Sequence, residues 1–129
     1  MMKNFTLIAA LSLALLTSAM PTGDGVITKE GKTSIVNTTT LTKNVRGFAG
    51  PTPVKIYIKG NKIQKVEPLK NKETPQYFTR AKAILAKFEG TSINNVENMQ
   101  VDAKTGATFS IKALVKNVQE GVKYYKTHK

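Results

Sequence analysis

Near the end of the chain runs Val101-Asp102-Ala103-Lys104-Thr105-Gly106-Ala107-Thr108-Phe109-Ser110. Three hydroxyl side chains, Thr105, Thr108 and Ser110, flank Gly106, whose missing Cβ lets backbone come close to another group. Ile111, Leu114, Val115, Val118 and Val122 then follow at i, i+3, i+4, i+7 and i+11, the apolar spacing of a helix. The stretch reads as a turn entering a helix. The first N–H groups of a helix have no partner within it, and together with the helix dipole they favour an anion, phosphate above all. Two readings of these residues stand side by side. One is a phosphate-sized anion site; the other is a plain cap made by Thr108 or Ser110.

Other elements must hold that turn in place. Lys112, Lys116, Asn117, Glu120 and Lys123 are assigned to the polar face of the last helix, and Gly121 weakens it by about 1 kcal/mol relative to alanine. Upstream, Thr74 is placed as an N-cap and Pro75 as the first residue of an earlier helix. Its stripe is Tyr77/Phe78, Ala81, Ile84/Leu85 and Phe88, and Gly90 suits the position past its end. Residues 91–100 read as a loop from which Ile93 and Val96 reach the core. Val54, Ile56 and Ile58 alternate with Lys55, Tyr57 and Lys59, the pattern of a strand with one polar face. Gly60-Asn61 predicts a type II′ hairpin turn, and residues 62–67 the return strand. Ile63 and Val66 are three apart, which predicts a bulge; Pro68 ends the strand or marks an edge. The glycine and proline density of residues 47–53 excludes helix there. A short hairpin is expected around Lys29-Glu30-Gly31-Lys32, a strand extension over residues 38–42, and disorder over residues 20–25. Strands first and helices second predict an α+β fold, a small, mainly antiparallel sheet with two main helices packed on it.

The composition excludes much chemistry. None of the 129 residues is Cys, which removes disulfides, thiolate metal sites and cysteine nucleophiles. The one His, His128, lies beside the C-terminus, so no Ser-His-Asp triad and no histidine metal site is expected. Met1-Met2-Lys3-Asn4, an apolar run over residues 5–16 and small Thr17-Ser18-Ala19 match a signal peptide over residues 1–19. With no Cys after that run, an exported protein without a lipid anchor is expected, periplasmic or extracellular. Taking 19 from 129 leaves 110 residues, and losing Lys3 lowers the net charge from +12 to +11. That charge admits anionic partners. However, the 20 basic residues include only two Arg, Arg46 and Arg80, and are spread over nearly every element, so nucleic acid is not expected. A Lys-rich secreted module that binds an anionic polymer or the cell envelope, without a cofactor, is the alternative reading.

Asp102 to Ser110 resembles the flavinylation motif of the FMN-binding domain family: Asp, two variable residues, Ser/Thr, Gly, Ala, Thr, one variable residue, Ser/Thr. Gly47-Phe48-Ala49-Gly50-Pro51 is similar to that family's Gly-aromatic-x-Gly-Pro element, and Glu73-Thr74-Pro75 to its Glu-Thr-Pro element. The family includes flavoprotein subunits of the sodium-pumping NADH:quinone reductase and of the Rnf complex. The resemblance covers residues 45–125 and implies an FMN-binding domain over residues 45–129, preceded by a strand-containing extension over 20–44. It implies that Thr108 carries FMN through a phosphoester, installed from FAD by a secreted, metal-using flavin transferase that recognises Asp102. Thr105, Gly106, Ala107 and Ser110 complete the attachment site. Gly47, Phe48, Gly50, Glu73, Thr74 and Pro75 are implied cofactor-binding positions, the Glu-Thr-Pro element lying near the isoalloxazine ring. One departure is plain: Gln76-Tyr77-Phe78 runs into a helix where relatives commonly have a Gly-Leu-Gly-like loop. The function implied is an extracytoplasmic electron carrier, not an enzyme on its own. Its redox donor and acceptor are partner proteins, a membrane complex among the candidates.

Overall fold

The computed structural model describes residues 20–22, 25–47, 49–99 and 108–128. Five strands form one antiparallel meander in the order β1-β2-β3-β4-β5. They are β1 (Met20–Thr22), β2 (Ile27–Glu30), β3 (Thr33–Asn37), β4 (Val54–Lys59) and β5 (Lys62–Pro68). Helix α1 (Pro75–Lys82) continues as a 3-10 segment (Ala83–Phe88), a 3-10 turn follows (Val96–Asn98), and α2 (Thr108–His128) ends the chain. The α+β class expected from the sequence holds.

Alternation dictates which face of the sheet is covered. Val36, Ile56, Ile58, Ile63 and Val66 point into one core with Ala81, Leu85 and Phe88 of the first helical stretch, and Ile111, Leu114, Val118 and Val122 of α2. Ile93 and Val96 join them, as their isolated apolar positions suggested. Thr74 stands at the N-cap position with extended backbone, but its hydroxyl makes no capping bond; Pro75 alone sets the helix start. Gly90, with φ +82°, turns the chain after the 3-10 segment, and its N–H donates to Ile63 O at 2.7 Å. Ile63 N–H in turn donates to Thr91 O at 2.9 Å, and Lys62 bridges Ser92, so this chain segment lies along the outer edge of β5.

Several local expectations are corrected. Both Gly60 (φ +62°) and Asn61 (φ +60°) are left-handed, so the β4–β5 turn is of type I′; Asn tolerates that region well enough to match the twist of the strands. The expected bulge is present, with the register shifting between Tyr57 and Ile58. Residues 38–42 turn rather than extend β3, because Thr38 O accepts from both Leu41 N and Thr42 N at 3.0 Å. Met20–Thr22 is a strand paired with β2, where disorder was expected; the unpaired edge of β2 supplies its ladder. Asn117 is not on the polar face: it is fully buried.

Gly121 also has a packing role that helix propensity alone hides. A Cβ there would lie 2.5 Å from Ile56 Cδ1 and 2.8 Å from Thr38 Cγ2, so the missing side chain is what lets α2 approach the sheet. Alanine is the better helix former by about 1 kcal/mol, but overpacking a filled core costs about 1–3 kcal/mol. Gly121→Ala is therefore expected to lower the thermal midpoint measured by circular dichroism. A midpoint at or above the parent's would contradict the close approach.

On the open face of the sheet, the Tyr57 hydroxyl donates to Glu67 Oε1 at 2.7 Å, and Lys65 Nζ lies 4.5 Å from the Tyr57 ring centroid. That hydrogen bond first, then partial burial and the charges of Glu67 and Glu30, push Tyr57 up to about 12. The same bond, with help from Lys65, holds Glu67 below its ordinary value. The raised phenol stabilises the fold fully below pH about 10 and loses that contribution as pH rises towards about 12. The lowered carboxyl stabilises above its ordinary value and loses its contribution as pH falls through its folded one. A spectrophotometric titration of the tyrosines should include a late step near 12 that Tyr57→Phe removes. Its absence from the parent protein would refute the bond.

Candidate functional site

Three separated segments meet at one carboxylate. Glu73 is 7% exposed and lies just before α1. It is held there by an Asx turn: its N–H donates to Asn71 Oδ1 at 3.0 Å, and Asn71 Nδ2 donates to Leu69 O at 3.0 Å. Glu73 Oε2 accepts the backbone N–H of Ala49 at 2.5 Å. Glu73 Oε1 accepts the hydroxyl of Ser110, in the first turn of α2. A buried carboxylate needs such donors, since an unpaired one would be expensive to desolvate.

The first partner segment is a tight turn. Gly47 N–H donates to Gly50 O at 2.8 Å, and Arg46 bridges Pro51. A Cβ on Gly47 would sit 2.6 Å from Glu73 Oε1 and 3.2 Å from Thr52 Cγ2. Only glycine lets the turn press against the carboxylate. Gly47, Gly50, Glu73 and Ser110, four of the positions singled out in the sequence, are thus brought together. Thr74 and Pro75 adjoin them at the start of α1.

The second partner segment is the start of α2. Thr108 is the first residue of this 21-residue helix, two positions before the tethered Ser110. Thr108 therefore stands at the helix start, where backbone N–H groups have no acceptor further back within the helix itself. Ser110 does not serve as the cap that one reading of the sequence allowed, since its hydroxyl is given to Glu73. Phe48, Asp102, Thr105, Gly106 and Ala107 lie outside the described residues. Phe78, from the position where relatives carry a flexible loop, is half-buried and packs against the core.

A second polar cluster, which sequence reasoning missed, fixes how α2 lies. Asn117 Oδ1 accepts the hydroxyls of Thr38 at 2.7 Å and of Thr42. Asn117 Nδ2 donates to Ala113 O at 2.9 Å and reaches Thr52 Oγ1 at 3.4 Å. Thr38 Oγ1 also accepts Val54 N–H at 2.9 Å, which ties the cluster to β4. The clue in the sequence was an Asn one turn before Gly121, beneath a Thr-rich turn. Thr52 touches both clusters, through Asn117 and through its methyl near Gly47.

These residues fit a phosphorylated cofactor. A long helix starts at a hydroxyl-bearing residue, its dipole favours a phosphate at that end, and the bare Gly47 holds the neighbouring turn close without a side chain in the way. No curated protein matches the chain. The family model described as the FMN-binding domain matches residues 47–123, from the glycine turn through Glu73 to most of α2. That match covers more than half of the molecule and spans every segment that meets at Glu73, so the chain belongs to the FMN-binding domain family and is a flavin-binding protein.

Proposed function

We propose that this protein is an extracytoplasmic electron carrier whose FMN is attached by a phosphoester to Thr108. The observation that carries this reading is the position of Thr108, first in α2 and two residues from the Ser110–Glu73 tether. The helix start can hold the phosphate, and the tether fixes that start against the Gly47–Gly50 turn. Attachment joins Thr108 Oγ to the FMN half of FAD and releases AMP, the hydroxyl proton passing to solvent; a secreted flavin transferase with a divalent metal performs it. When bound, FMN supplies one- and two-electron redox chemistry that no side chain here possesses.

Ser110 and Glu73 act as positioning residues, and Ala49 N–H and Gly47 complete their geometry. The chain offers no nicotinamide fingerprint and no thiol, so electrons come from one partner protein and leave to another. Removal of residues 1–19 accompanies export in this reading, and the Lys-rich surface keeps the carrier soluble.

Export with a co-expressed flavin transferase, followed by a denaturing gel, tests the assignment. The wild type should fluoresce in the gel and gain the mass of FMN less one water. Thr108→Ser should keep the label. Thr108→Ala should lose it while its far-ultraviolet dichroism stays unchanged, because a helix-end hydroxyl is worth only about 1 kcal/mol. A soluble, correctly exported wild type without fluorescence would refute covalent attachment, and a mature N-terminus still bearing residues 1–19 would refute the leader.

A further inference from the structure

The solvent face of α2 begins at Thr108 and carries an unusual residue. Phe109 is 65% exposed, the one large hydrophobic side chain so open among the described residues. Steps of three, four and seven residues place Lys112, Lys116 and Lys123 on the same face, and all three are exposed. Lys116 pairs with Glu120 at 3.1 Å, while Lys112 and Lys123 hold no ion pair among the described residues. A shallow groove lined by Ile111, Lys112, Val115, Lys116 and Gln119 runs alongside. At a rise of about 1.5 Å per residue, Lys112 and Lys116 lie about 6 and 12 Å along the axis from Thr108.

We propose that this face is the docking surface for an acidic electron-carrier protein, with Phe109 as the apolar anchor and Lys112 and Lys116 as its charged surround. The proposal rests on the flavoprotein reading, which puts the redox group at the head of the face. Charge complementarity selects the occupant: a chain of net charge +12 attracts and steers an acidic surface. An aromatic ring beside lysines, next to the attachment point, suits a small and transient contact that must bring two redox groups close. An anionic membrane would be served as well by Lys59, Lys62 and Lys65 on the open side of the sheet, where no exposed large apolar residue stands among the described residues.

The test titrates the 15N-labelled protein with an acidic plant-type ferredoxin as probe and follows its backbone amide resonances. Shifts and broadening should concentrate on residues 108–119. Phe109→Ser, and separately Lys112→Glu with Lys116→Glu, should each weaken the apparent Kd about tenfold. Lys59→Glu with Lys62→Glu changes the charge equally and should leave Kd nearly unchanged. The same spectra verify that each variant is folded. Perturbations spread over all lysine-bearing surfaces, or equal weakening by the control pair, would overturn the docking surface. So would phosphatidylglycerol vesicles engaging residues 108–119 while ferredoxin does not. Protein without flavin still reports the map, so an absent label counts against covalent attachment and an absent map counts against docking.

Discussion

Asn117→Ala should destabilise this fold by about 2–4 kcal/mol, a large share of the roughly 5–15 kcal/mol that holds a domain of this size together. The side chain is completely buried and all its hydrogen-bonding capacity is used. Its removal takes away the acceptor that the Thr38 and Thr42 hydroxyls share, leaving them Val54 O at 3.3 Å and Thr38 O at 2.9 Å, and each lost hydrogen bond is worth about 0.5–1.5 kcal/mol. The void adds a further penalty, since the neighbours are fixed by strand and helix backbones. Asn117→Leu separates the two contributions: it fills the space but restores none of the hydrogen bonds that Asn117 makes, so it should recover only part of the loss. Urea denaturation followed by circular dichroism measures both. A loss under about 1 kcal/mol for the alanine variant would mean that the threonines find other partners without strain.

Glu73→Gln should impair flavin loading at least as much as it impairs stability. The carboxylate accepts two donors, Ala49 N–H and the Ser110 hydroxyl. An amide keeps one acceptor oxygen for Ala49 N–H, and its NH2 group can only donate to Ser110 Oγ, so the Ser110 bond reverses and both bonds lose their charged acceptor. Hydrogen bonds to a charged acceptor are worth about 1.5–3 kcal/mol each. The expected result is a stability loss of about 2 kcal/mol and, under the proposed attachment to Thr108, flavin incorporation down about tenfold, because two neutral hydrogen bonds hold the start of α2 less firmly against the glycine turn. Incorporation is read by in-gel fluorescence against time, at a temperature where the variant remains folded. Ser110→Ala should produce the same slowing with a smaller stability loss. If Glu73→Gln loses stability while its flavinylation time course matches the wild type, Glu73 is a structural residue and its positioning role falls.

How far the sequence revealed this arrangement depends on the range of each interaction. The β4–β5 hairpin and both apolar helix stripes were legible because alternation and 3.6-residue spacing are local signals. The turn type was not, because Gly60 permits II′ as readily as I′, and only the positive φ of Asn61 decides. Asn117 and Gly121 were misread for one shared reason. On a helical wheel, Asn belongs with the polar face and Gly counts as a weakness, yet the Thr-rich turn and β4 meet the helix at those two positions. Of the candidate site, motif resemblance picked out Gly47, Glu73 and Ser110 separately. That the glycine turn and Ser110 converge on the Glu73 carboxylate follows from contacts of Ala49 and Ser110 with it, 24 and 37 residues away in the chain, which spacing alone does not encode.

The meander has one further consequence, for self-association. An open sheet exposes two edges at which a second copy could add a strand and begin an aggregate. Here β5 ends in Pro68, which has no N–H to offer, and both backbone groups of Ile63 are occupied by Gly90 and Thr91. At the other edge, β1 has three residues, with Pro21 in the middle. Neither edge presents a long run of free donors and acceptors among the described residues. A protein that crosses a membrane unfolded and folds beyond it, as the export reading requires, would meet its own copies at their most adhesive stage. Two prolines and a returning loop close the sheet to them.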